Sequence, residues 1–169
     1  MNIREQLFTE ITETRQRFHQ LLELVPDEFF HLPSDNPAWT IGEVLYHMNI
    51  APRFVIADVK MITGRRWIYR LVPRIIPKSL FDWINAKHTR YAARHLTRQF
   101  LASEYDKAHE IAIHALSLVA DDNFQKSLPY PDWDAMLSGE VTLERLFHYV
   151  KNHFDAHASE INRLIAGQK

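Results

Sequence analysis

An all-α fold is predicted by two features of this 169-residue sequence. It contains only four glycines, and its long stretches of Leu, Ile, Ala, Glu, Arg and Gln repeat their apolar members every three or four positions, which favours helices over a turn-rich sheet. The length suits one compact domain with its own core, so a single domain over residues 1–169 is expected.

The first helix is expected from Ile3 to Val25, where Ile3, Leu7, Ile11, Phe18, Leu21, Leu22 and Val25 form one apolar side and Pro26-Asp27 ends it. A polar, proline-bearing loop, HLPSDNPAW, follows. Thr40-Ile41-Gly42-Glu43 has capping-box spacing, so the second helix opens at Thr40 and should continue through at least Phe54, with Pro52 as a kink. From Thr63 to Arg98, Gly64, Pro73 and Pro77 punctuate the chain, which reads as a long crossover carrying short helices. A third main helix should span about Thr97 to Val119, with Leu101, Tyr105, Ala108, Ala112, Ala115 and Val119 on one side. The polar connection DDNFQKSLPYPDWDAMLSGE leads to a fourth, from about Thr142 to Ala166. Four long amphipathic segments with one long crossover, between helices 2 and 3, pack most simply as a four-helix bundle.

Charge and composition narrow the function. A formal net charge of −1, from 20 basic and 21 acidic side chains, and the lack of helix-turn-helix spacing argue against a nucleic-acid partner. The opening MNIREQLFTEITE carries Arg4, Glu5, Glu10 and Glu13 and lacks the apolar core of a signal peptide. No run approaches the ~18 to 20 apolar residues that cross a bilayer, so no transmembrane segment is expected and the cytoplasm is the expected location. The absence of cysteine removes disulfides, thiolate ligands and a cysteine nucleophile, and leaves His, Asp and Glu as metal ligands. Locally, residues 60–98 are basic: Lys60, Arg65, Arg66, Arg70, Arg74, Lys78, Lys87, Arg90, Arg94 and Arg98 stand against Asp82 alone. Three readings are open for this stretch: a solvated face, an anion-binding wall, or an amphipathic surface whose Trp67, Ile68, Leu71 and Trp83 meet a membrane or partner.

The last helix carries the chemistry. At 100° per residue, Leu146, Val150, His153, His157, Ile161 and Leu164 fall within about 80° of one another, while His148 falls opposite. Imidazoles four residues apart lie one turn apart and lean the same way, so both can reach one ion. This is not the zinc-protease motif, because Phe154 stands where that motif needs Glu, and Asp155 projects away from the pair. A third ligand must come from another helix. On the second helix Ile41, Val44, Leu45 and Met48 define the inward face and His47 sits at its edge. Three histidines would leave an open coordination position, as in catalytic sites. The competing reading is a pair of hydrogen-bonded core histidines. The remaining histidines, His19, His31, His88, His95, His109, His114 and His148, read mostly as surface or packing residues. Glu160, three residues after His157, could orient a ligand imidazole or accept a proton, though a solvated helix-edge Glu is the plainer reading.

PAWTIGEVLYH (37–47) resembles the second-helix signature of the DinB-like superfamily, and VTLERLFHYVKNHFDAH (141–157) is similar to that family's last-helix pattern, which ends in His-x3-His. The resemblance spans nearly the whole chain. It implies an up-up-down-down bundle, often a homodimer, with a divalent metal held by His47, His153 and His157. Zinc or nickel is the expected ion, although neutral imidazole also suits iron or copper. The resemblance further implies a metal-dependent hydrolase or a thiol-dependent transferase using a low-molecular-weight thiol such as bacillithiol, mycothiol or glutathione. No residue beyond the ligands identifies the thiol or the substrate. The alternative is a non-catalytic metal- or ligand-binding stress-response bundle, which fold alone does not distinguish. The aromatic residues Trp67, Tyr69, Phe81 and Trp83 of the crossover could supply a dimer contact.

Overall fold

Helix α1 (Ile3–Leu24) begins at a capping box: the Asn2 side chain accepts from the Glu5 amide at 2.9 Å while the Glu5 carboxylate accepts from the Asn2 amide at 3.1 Å. This is a computed structural model, and it describes residues 2–64, 77–92, 94, 96–134 and 136–167. A 3-10 turn over Asp27–His31 leads to α2 (Ile41–His47), and α3 (Ile50–Thr63) follows after a break. Helices α4 (Lys78–Ala92) and α5 (Arg98–Ser117) come next. The antiparallel strands β1 (Ser127–Tyr130) and β2 (Gly139–Thr142) lead into α6 (Leu143–Ala166). The fold is therefore mostly helical, with one two-stranded sheet among the described residues. Among the described residues no helix is long and apolar enough to cross a membrane.

Two expectations about individual elements are corrected. The second helix does not run through Phe54: it stops at His47 and restarts at Ile50. Pro52 has no N–H for the Met48 carbonyl and its ring would crowd that carbonyl, so the ladder breaks one turn before the proline instead of kinking at it. The Asn49 side chain donates to the Tyr46 carbonyl and helps close the broken end. The polar connection, for its part, holds a sheet. Ser127 pairs with Thr142 and Tyr130 with Gly139, which adopts φ +72°, and the buried Leu128 and Val141 face the core from opposite strands.

Long-range pairs set the helix directions. Arg4 reaches the Leu116 and Val119 carbonyls at the end of α5, and Arg98 at the start of α5 reaches the Leu22 and Val25 carbonyls at the end of α1. Each arginine donates to carbonyls at a helix C-terminus, and together they make α1 and α5 antiparallel. Glu10 pairs with His148 at 2.9 Å and Arg17 with Asp155 at 2.7 Å, so α1 and α6 run parallel. The up-up-down-down order is overturned by this finding, since it requires first and last helices to oppose one another. Arg53 of α3 pairs with Glu104 of α5 at 2.7 Å, and Val55 and Ile62 share an apolar cluster with Ala112 and Leu116. Those two helices therefore run parallel. A connection between parallel helices must traverse their length, which is what the long crossover between α3 and α5 does.

The apolar interior forms two clusters, one around Leu7, Ile11, Val55, Leu116, Phe147 and Val150, the other around Phe18, Phe30, Leu45, Leu101, Tyr105, Phe154 and Ile161. Buried polar residues fall between them along the chain: Thr14 between Ile11 and Phe18, Asn49 between Met48 and Val55, His109 between Tyr105 and Ala112, and His153 between Val150 and Phe154. A polar belt thus interrupts the core at mid-height.

His109, a packing residue as expected, has no exposed surface; its Nδ1 donates to the Tyr105 carbonyl at 3.0 Å, and burial pushes its pKa down to about 4. A histidine whose folded pKa lies below its unfolded value contributes stability that is complete above the unfolded pKa and is lost as pH falls through it. Between pH 7 and 5 this group should cost about 2 kcal/mol. Urea unfolding at the two pH values measures the loss, and His109→Leu should flatten the slope. An unchanged slope would show that His109 does not carry it.

In the basic stretch, Arg90 donates to the Ala38 carbonyl at 2.7 Å, Lys78 to the Trp133 carbonyl at 2.8 Å and to Asp82 at 3.1 Å, and Lys87 and Arg94 lie over the Trp83 and Tyr91 rings. With Arg98, these side chains clasp the chain to itself. Phe81 stacks on Trp133 at 4.7 Å, whereas Trp83 is exposed. Arg65, Arg66, Trp67, Ile68, Tyr69, Arg70, Leu71, Arg74 and His95 lie outside the described residues.

Candidate functional site

His47 is the last residue of α2, and the two ends of that helix position it. At the start the Thr40 hydroxyl accepts from the Glu43 amide at 3.3 Å, and the Glu43 carboxylate accepts from the Thr40 amide at 2.7 Å. Along its length Gly42 permits close approach to the preceding turn. A Cβ at this position would stand 2.5 Å from Leu96 Cδ1 and 2.9 Å from the Phe30 carbonyl oxygen. Gly42→Ala should therefore push α2 outward, costing about 1–3 kcal/mol and displacing His47 five residues further on. Denaturant melts check the stability loss, and an unperturbed midpoint would show that the contact relaxes freely.

His153 and His157 project from α6 on the expected stripe and meet His47 across the interior. One ligating atom from each of the three lies within 4.8 Å of the others. His153 Nε2 and His47 Nε2 are 3.3 Å apart, and the ring centroids of the trio are 4.7 to 5.2 Å apart. His47 and His153 are buried and His157 is half-buried. Burial first, then the neighbouring His153 and His157, pushes the His47 pKa down to about 2, with Asp134 pulling the other way. Burial and then His157 push His153 down to about 3. Both rings are therefore neutral near pH 7, the form that ligates a metal.

The residues fit a divalent ion. Two nitrogens about 2.0–2.1 Å from a tetrahedral zinc stand about 3.3 Å apart, which is the His47–His153 separation. Among the described residues no carboxylate or carbonyl accepts from the buried Nδ1 of His47 or His153. His157 is different: its Nδ1 lies 3.3 Å from Glu160 Oε2, which leaves Nε2 toward the cluster, and Glu160 Oε1 accepts from the Asp35 amide at 3.1 Å. Glu160 thus orients the imidazole and ties the loop before α2 to α6.

The other polar candidates stay out. Asp155 pairs with Arg17 and Lys151, each at 2.7 Å; His148 pairs with Glu10; His19 lies 2.8 Å from Asp106; and His31, His88 and His114 are exposed. Trp39, the tryptophan of the second-helix signature, and two residues not singled out from the sequence, Tyr149 and Asp134, complete the surroundings. Trp39 lies with its ring 4.4 Å from that of His47, and Tyr149 lies 5.4 Å from His153. The Tyr149 hydroxyl donates to Asp134 at 2.5 Å, and burial, then Asp134, raises its pKa. Tyr149 stands four residues before His153, so helical spacing carried a signal for it; Asp134, in the loop between the strands, had none.

Comparison with curated proteins finds no match. A family model of the DinB superfamily matches residues 10–161, a span that takes in both the Thr40-capped helix ending in His47 and the His153–His157 pair. On that match, which covers most of its length, the chain belongs to the DinB superfamily.

Proposed function

We propose that the chain binds one divalent ion, zinc or nickel, through His47, His153 and His157, and works as a metal-dependent hydrolase or a transferase that uses a low-molecular-weight thiol. The observation that carries the metal reading is the convergence of three ligating nitrogens within 4.8 Å, two of them on rings that burial keeps neutral. When bound, such an ion supplies Lewis-acid polarisation or lowers the pKa of a thiol or water. The chain's own part is to keep His47 and His153 neutral by burial, to turn His157 with Glu160, and to hold Trp39 and Tyr149 against the two buried imidazoles.

One domain over 1–169 is proposed, with α1, the α2–α3 pair, α5 and α6 as a four-helix bundle in up-down-down-up order. Its two apolar clusters give it a core that does not depend on metal, so the ion-free protein should stay folded, unlike a zinc finger. A homodimer is proposed from the family resemblance, and the exposed Leu80 and Trp83 on α4 offer contact area; sedimentation equilibrium showing only a 20.0 kDa species at micromolar concentration would remove it.

The function is tested on untagged protein. Elemental analysis should find about one divalent ion per chain. After chelation the helical circular dichroism should persist, and cobalt titrated back should give a visible spectrum that changes when small thiols are added. A spectrum indifferent to every thiol and anion tried would overturn the enzymatic reading in favour of a non-catalytic metal-binding bundle.

A further inference from the structure

Beside the histidines, a cavity of about 350 Å³ opens between α3, α4, the first turns of α6 and the loop after β1. Small-molecule pockets run from ~300 to 1,000 Å³, so this one suits a compact ligand. Its wall is largely apolar, formed by Ile50, Phe54, Phe81, Ile84, Trp133 and Leu146. The wall is also built. Phe81 and Trp133 stack with centroids 4.7 Å apart and planes 17° apart, and Lys78 fastens α4 to the same loop through the Trp133 carbonyl at 2.8 Å.

Two side chains join this cavity to the imidazoles. Tyr149 lines it, and its ring stands 5.4 Å from that of His153. Asp134 lines it too, accepts from the Tyr149 hydroxyl at 2.5 Å, and its charge acts on His47. A ligand in the cavity therefore meets the Tyr149–Asp134 pair on the side nearest the histidines. Among the described residues that line the cavity there is no Lys or Arg, His88 is the one basic side chain, and Asp134 contributes a carboxylate. Away from the ion that the imidazoles would hold, an anion entering would meet an apolar wall and a carboxylate with no lysine or arginine among the described lining residues to offset its lost hydration, whereas an uncharged apolar group is stabilised by leaving water.

We propose that this cavity is the substrate pocket of the histidine site and takes an uncharged, largely apolar small molecule, aromatic or branched-alkyl, whose single polar group faces Tyr149, Asp134 and the imidazoles. The proposal rests on the metal-site reading of His47, His153 and His157. It departs from the anion-binding wall considered for the basic crossover, where Lys78, Lys87, Arg90, Arg94 and Arg98 contact carbonyls, carboxylates and rings of the same chain.

The test uses N-phenyl-1-naphthylamine, a neutral probe whose fluorescence rises in apolar surroundings, and 1-anilinonaphthalene-8-sulfonate, which has the same rings and an added negative charge. The full chain should bind the neutral probe saturably, one per protomer, and the sulfonate at least about tenfold more weakly. Phe54→Asp and Ile84→Lys alter exposed lining residues on two different helices. Each should weaken the neutral probe about tenfold or more while keeping the helical signal and the bound ion; Leu118→Asp, an exposed position outside the lining, should leave binding unchanged. In cobalt-loaded protein, saturating neutral probe should shift the visible bands. Equal or tighter binding of the sulfonate, indifference of the neutral probe to both lining variants, or an unmoved cobalt spectrum at saturation would each overturn the proposal. The two readings fail separately: a wild-type chain without a stoichiometric ion sinks the metal site, whereas a retained ion with no saturable neutral-probe binding sinks the pocket alone.

Discussion

His153→Ala is expected to strip the bound divalent ion while leaving the helical content of the chain intact. Of the three imidazoles, His153 sits deepest in the interior, on the longest helix, and its Nε2 faces His47 Nε2 at 3.3 Å. Losing a group that merely orients a ligand lowers metal affinity by about 10–100-fold, so losing a ligand itself should cost at least about 100-fold. Folding should survive, because His153 lies between two apolar clusters that do not need it, and alanine is a good helix former. Elemental analysis beside far-ultraviolet circular dichroism decides the matter. His148→Ala serves as the control: its imidazole pairs with Glu10 away from the site, and that variant should keep the ion. A stoichiometric ion retained in a folded His153→Ala protein would overturn the ligand assignment.

The largest stability loss is expected at Phe147. Its side chain is fully buried in the cluster that joins Leu7 and Ile11 of α1, Val55 of α3, Leu116 of α5 and Val141 of β2. Truncation to alanine removes the ring from every one of these elements at once, and a buried Phe→Ala change costs about 3–5 kcal/mol through lost burial and the cavity left behind. Phe8→Ala is the matched comparison, because Phe8 is about half exposed on α1 and should change stability by less than about 1 kcal/mol. Urea melts of the two variants measure the difference. A loss at Phe147 no larger than that at Phe8 would contradict the packing described for this cluster.

Features local to one helix were legible in the sequence. The Thr40 capping box, the Pro26 stop after α1, the Thr97 and Thr142 starts and the narrow stripe of α6 all occur as expected, because caps and periodicity depend on residues within a turn or two of one another. The place of Pro52 was legible too, but its effect was read one turn late: a helical N–H points back four residues, so the damage falls at Met48 and Asn49. The β1–β2 pairing was not legible, since four-residue strands with only Leu128 and Val141 fully buried carry too little alternation to rise above a polar connection.

By itself the sequence determined the bounds of α1, α5 and α6 to within a few residues and the start of α2, that His153 and His157 share a face, and that His47 lies close to an inward face of another helix. Only the tertiary structure decided that His47 stands 3.3 Å from His153 across a gap of 106 residues, that α6 runs parallel to α1, and that Asp134 reaches Tyr149 to form the border of an apolar cavity. The reason is physical. A helix fixes the relative direction of its own side chains through hydrogen bonds four residues long, whereas the direction and distance of one helix from another come from burying two apolar faces together, a choice that no short stretch of the chain contains.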